Sequence, residues 1–204
     1  MARRDPRIVD RIRAAASLSS RQFVDDYLFV VPPWAFRSVP SEYDEFRGEL
    51  SSRLEVTSAG IVLVGSGRLG FSLNADHLLR GFGSASDLDV VILSSEKFDQ
   101  TWAELIETST DITLAGEEER RRLRKTRENF FHGYLRPDHL PLTTKLAEDW
   151  FPKLATRFSS RVASRHEVRA WLFKSEVHAR AVYSDHLGRI QGDIRRMISF
   201  EEST

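Results

Sequence analysis

Apolar residues recur at helical spacing near the start of the chain, where Ile8, Ile12, Ala15 and Ala16 share one face. Together with SRQFVDDYLFV they predict helices over residues 6–30, stopped by Pro32 and Pro33. Residues 41–55 predict another amphipathic helix, with Ser41 as its N-cap and Tyr43, Phe46, Leu50 and Leu54 on one side. The pattern then changes. IVLV at 61–64 and DLDVVIL at 87–93 are short, β-branched and apolar, which predicts two buried strands separated by a turn-rich stretch. Helices are expected over 96–109, 117–135 and 142–158, the last interrupted at Pro152. HEVRAWLF at 166–173 predicts a third strand. A closing helix over 175–198 would turn Val177, Ala181, Leu187, Ile190, Ile194 and Met197 inward. Helices, then strands with helices between them, then a last helix make an α/β or α+β plan.

Composition adds limits to this plan. Of the 204 residues, 41% are hydrophobic and 29% charged, an ordinary globular balance rather than that of a disordered chain. Thirty basic residues balance thirty acidic ones, so no global basic field points to nucleic acid. The run EEERRRLRKTR at 117–127 reads first as a solvated helical face; a phosphate-rich acceptor is its alternative use. The chain has no cysteine, which excludes disulfides, thiol catalysis and thiolate-bound metals. The six histidines lie scattered without a metal-binding spacing. No apolar leader or membrane-length apolar window is present, and a cytoplasmic location is expected.

Three short segments carry chemistry. In IVLVGSGRLG a strand runs directly into Gly65 and Ser66. Glycine allows a sharp turn and a close approach to ligand, and Ser66 adds a hydroxyl and an N–H suited to phosphate oxygen. Asp87 and Asp89 flank Leu88 at the start of the next strand, so both carboxylates point the same way, roughly 7 Å apart. Such a pair repels itself unless a cation lies between, and hard divalent ions favour oxygen donors of this kind. Glu167 and Arg169 share one face of the last strand by the same alternation, which offers a third carboxylate and a cation. Arg68, just after the turn, is a further candidate for phosphate contact.

Gly-Ser, then Asp-x-Asp on the next strand, then an acid on a later strand resembles the DNA polymerase β-like nucleotidyltransferase superfamily. VGSGRLGFSLN…SDLDVVIL is also similar to small bacterial proteins of that fold from toxin–antitoxin or phage-defence loci. The resemblance covers residues 61–93 and extends plausibly to 198. It implies a short mixed sheet flanked by helices. Residues 1–58 would form a helical segment packed on a nucleotidyltransferase domain at 59–204, itself carrying a helical insertion at about 96–160. It further implies that Asp87, Asp89 and Glu167 hold Mg²⁺ or Mn²⁺ and carry catalysis. Gly65, Ser66, Arg68 and Arg169 would bind an NTP or dNTP. A nucleoside monophosphate would pass to a hydroxyl on a protein, a nucleic-acid end or a nucleotide, including template-free oligonucleotide synthesis. Ser199, Ser203 and Thr204 are the tail hydroxyls that self-priming could use. The stretch from Ser66 to Asp87 is longer than the family's usual spacing, and its insert NADHLLRGFG is expected to form a lid or substrate wall. Glu167 departs from the family's Asp and closely precedes its strand. The same fold could instead serve as a non-catalytic antitoxin or regulatory module that binds nucleotide or a cognate effector or toxin protein. A dinucleotide-binding reading of GSGRLG also stays open, with Asp87 or Asp89 as its ribose-binding acid.

Overall fold

The computed structural model describes residues 5–114 and 116–202 and is a mixed α/β fold. Asp5 caps the first helix, α1 (Pro6–Ser17), by accepting from the Arg7 N–H, and Pro6 takes the first helical position where its missing N–H is harmless. Ser19 caps α2 (Ser20–Phe23), which continues as a π-helical turn, Val24–Leu28. A 3₁₀ turn at Trp34–Phe36 leads to α3 (Ser41–Leu54). Pro40, rather than Ser41, stands at the cap of α3, and no side chain caps it.

The strands β1 (Ile61–Leu63), β2 (Leu88–Leu93), β3 (Tyr134–Leu135) and β4 (Val168–Phe173) form one sheet in the order β1-β2-β4-β3. The central pair, β2 and β4, is parallel, and both edge strands run antiparallel to their neighbours. Between them lie α4 (Gly65–Leu69), α5 (Ser95–Leu114), α6 (Glu117–Phe131) and α7 (Lys145–Ala155). The chain closes with α8 (Glu176–Glu202).

Strand alternation divides the core in two. Leu88, Val90 and Ile92 of β2 and Val168, Ala170 and Leu172 of β4 join Phe46, Leu50, Phe98, Leu123 and Trp150 beneath α3, α5, α6 and α7. On the opposite face Val91 and Phe173 meet Ile8, Ile12, Phe23 and Leu28 of the amino-terminal segment and Ala179, Leu187, Ile190 and Ile194 of α8. The amino-terminal helices therefore cover one sheet face together with α8.

Besides the Ser41 cap, three further expectations need correction. The helix expected to 135 ends at Phe131, because Gly133 adopts φ 75° and the chain turns into β3. A Cβ at Gly133 would stand 2.1 Å from His178 Cδ2, so only glycine permits this crossing with α8. Pro152, expected to interrupt its helix, lies inside α7. On α8, Val177 is 74% exposed, Ala181 is exposed and Met197 is 37% exposed, while Ala179 takes an inward position instead. Among the described residues no helix is long and apolar enough to cross a membrane.

Candidate functional site

The antiparallel β1–β2 pairing carries the chain from Leu63 past the start of β2, and the Val64 N–H donates to the Asp89 carbonyl at 2.9 Å. Gly65 then turns with φ 59°, in the left-handed region. A Cβ there would stand 3.0 Å from Asp89 Oδ2. Glycine thus brings the backbone of the Gly65–Ser66 turn directly against the Asp89 carboxylate, and the sharp turn expected there is present.

Asp87 and Asp89 both line a cleft of about 1410 Å³ that also contains Gly65 and Ser66. Burial pushes Asp89 up to about 6, and the neighbouring Asp87 charge adds to the shift. Asp89 is therefore under electrostatic stress that a cation would relieve. In register, Asp89 sits opposite Arg169 on β4. The Arg169 guanidinium donates to both Glu167 oxygens at 3.0 Å and pairs with Asp87 at 2.9 Å. That fork holds Glu167 below the usual carboxylate range and raises Arg169. Asp87, Asp89 and Arg169 face the cleft, whereas Glu167 is not on its wall and its side chain is 63% exposed.

Arg68 is not at the site. It is buried, its Nε donates to the Leu63 carbonyl at 2.9 Å, and its other arm bonds the Val31 carbonyl. Within the short helix α4 its side chain points away from the turn, and it fastens β1 to the amino-terminal segment. Arg80 does line the cleft that Ser66 lines, and it comes from the insert expected as a lid or substrate wall. Arg80 is exposed and, among the described residues, makes no side-chain ion pair or hydrogen bond. Asn74, Ala75 and His77 of the same insert line the same wall. A single bridge, Phe71 to Gly81, closes the insert at its base.

Four of the six histidines, scattered in sequence, reach the same cleft. His77, His132, His178 and His186 all line the cleft. His178 Nδ1 lies 2.8 Å from the Ser175 hydroxyl, and His186 Nε2 lies 2.9 Å from the Leu73 carbonyl, which ties α8 to the insert. Beyond Arg169 the floor changes character. Trp171 stacks on Tyr134 with centroids 5.6 Å apart and planes 15° from parallel. Tyr183 lies 6.4 Å from the same ring, and the Arg136 guanidinium lies over it at 4.5 Å. Burial raises the Tyr183 hydroxyl above the usual range, so it remains a neutral donor.

The basic run on α6 is largely neutralised within its own helix. Glu118 bonds Arg121 and Arg122, while Glu117 pairs with Arg120 and Arg124. Arg122 also donates to the Asp138 and Leu140 carbonyls. Of the tail hydroxyls, Ser203 and Thr204 lie outside the described residues.

Among the described residues no group of three His, Asp or Glu is arranged to hold a metal ion. The Asp87–Asp89 pair is the donor set that fits a hard divalent cation, since Mg²⁺ commonly takes one or two carboxylates and completes its shell with substrate phosphate and water. Comparison with known protein families, curated proteins and solved structures finds no match to this chain.

Proposed function

We propose that this protein is a metal-dependent nucleotidyltransferase of the polymerase β-like type, moving a nucleoside monophosphate from an NTP or dNTP to a hydroxyl acceptor. One observation carries the reading: Asp87, just before β2, and Asp89, within it, both line the cleft, with the Gly65–Ser66 backbone turned against Asp89. Asp87 and Asp89 would hold Mg²⁺ or Mn²⁺ together with triphosphate oxygens, and the ion would supply charge neutralisation and acidify the acceptor hydroxyl. The Ser66 hydroxyl grips the terminal phosphates, and Arg80, unpaired among the described residues, offsets their charge. Arg169 balances Asp87. The acceptor oxygen attacks the α-phosphorus; the new O–P bond forms as the bond to pyrophosphate breaks, and the hydroxyl proton passes to a carboxylate or water. Glu167 joins as a third carboxylate only by leaving Arg169.

That engagement of Glu167 favours a second reading, a nucleotide-binding module without turnover. Incubation with each labelled NTP and dNTP plus Mg²⁺ or Mn²⁺, with products resolved on protein and nucleic-acid gels, separates the two. Transfer with pyrophosphate release is expected, falling by at least about 10²-fold when Asp87→Asn and Asp89→Asn are combined, the scale of losing preorganised charge stabilisation. Transfer undiminished in the double variant sinks the mechanism. Metal-dependent binding with no pyrophosphate leaves the second reading.

A further inference from the structure

The cleft is larger than one nucleotide needs, and its two halves differ in chemistry. Ligand pockets for a single small molecule span about 300–1,000 Å³, whereas this one reaches about 1410 Å³. The half over β1 and β2 presents backbone, serine, carboxylate and Arg80, which suits a metal-bound triphosphate. The half over β4 and β3 presents Trp171 and Tyr134 in a stacked pair, Arg136 across the Trp171 ring, and Arg189 with His178 on the α8 wall above. Of the carboxylates near this half, Asp138 and Asp185 are engaged by Arg136 and Arg189 respectively, and Glu128 also lines the cleft. Aromatic faces beside cations are the elements that hold a base and a phosphate together.

We infer that the β3–β4 half of the cleft is a second nucleotide site, which binds the acceptor as a nucleoside phosphate, so that the hydroxyl receiving the transferred group belongs to a nucleotide and not to a protein side chain. This rests on the nucleotidyltransferase reading above and specifies its acceptor. Of the carboxylates lining this half, Asp185 is bound to Arg189 and Glu128 stands on the α6 wall, unlike the adjacent Asp87 and Asp89 of the other half, and the ligand here is taken without a divalent ion. Trp171 receives the base and Arg189 with His178 receives the phosphate, an arrangement in which a sugar hydroxyl is directed along β4 toward Arg169 and Asp87. A free nucleotide and the end of a short strand present this same chemistry.

The test is calorimetric titration of the full chain. 5′-AMP, GMP, CMP and UMP are titrated without divalent ions, and a non-hydrolysable triphosphate analogue is titrated with Mg²⁺. At least one monophosphate is expected to bind, with ribose 5-phosphate and the free nucleoside each binding more weakly than the whole. Trp171→Leu is expected to weaken it about tenfold, the scale of one lost base–aromatic stack. Arg189→Gln, at an exposed position that the fold does not need, is expected to weaken it severalfold. Both leave Mg²⁺-dependent binding of the analogue unchanged. The trinucleotide pApApA binding more tightly than AMP assigns a strand end, and equal or weaker binding assigns a free nucleotide. Monophosphate binding that ignores both substitutions, that disappears in Asp87→Asn/Asp89→Asn, or that is absent while the analogue binds overturns the second site and leaves the transferase reading standing. Failure of the analogue to bind with Mg²⁺ overturns the transferase reading itself.

Discussion

The two faces of the central sheet are built from the same strands yet follow opposite rules. On one face Leu88, Val90 and Ile92 are all at most 1% exposed and pack on residues that are themselves buried. On the other, Val91 and Phe173 are buried, but the run breaks toward the strand starts into Asp87, Asp89 and Arg169. The apolar face is stabilised by burial throughout its length. The mixed face buries apolar surface only under α1, α2 and α8 and leaves its carboxylate end uncovered. Electrostatic stress is thereby confined to the place where a charged ligand would relieve it.

Three substitutions test this contrast, beginning with the largest effect. Ile92→Ala on the apolar face opens a cavity in a well-packed core and should destabilise the fold by about 3 kcal/mol in urea unfolding; a loss of a few tenths would show that this face is not close-packed. Asp89→Asn should do the reverse. In the folded chain Asp89 keeps its proton up to about pH 6, against 3.8 for the ordinary carboxyl, so the wild-type fold loses stability as pH rises between those values. The asparagine variant should be more stable by up to about 3 kcal/mol at pH 8 without divalent ions, the scale of a shift of that size, and the gain should vanish below about pH 4. Added Mg²⁺ with triphosphate should stabilise the wild type alone, and an equal response in the variant would remove Asp89 from the cation site. Gly65→Ala places a Cβ in a left-handed conformation and against Asp89 Oδ2, and should cost about 1 kcal/mol. If its melting temperature equals that of the wild type, the close approach of the turn to Asp89 is wrong.

Much of this arrangement was legible in the chain. The strands Ile61–Leu63 and Leu88–Leu93 followed, within a residue, from β-branched runs at 61–64 and 87–93, Val168–Phe173 followed from the alternation over 166–173, and the same period of two put Asp87 on one face with Asp89 and Glu167 on one face with Arg169. The glycine after β1 announced a turn. Tyr134–Leu135 was hidden because two residues carry no periodicity and follow a helical pattern directly. Arg68 was misread because proximity in sequence to the turn says nothing about direction once the chain enters α4.

By itself, then, the sequence determined which side chains share a strand face, because that depends only on the backbone repeat. Only the tertiary structure decided which distant groups meet. It put Arg80 rather than Arg68 on the wall of the cleft that Ser66 lines, set four histidines from three separate segments along that cleft, and laid Trp171 on Tyr134 across the β3–β4 pairing. Those outcomes depend on strand order, on the path of an irregular insert and on where α8 crosses the sheet. All are set by long-range packing that no local pattern encodes.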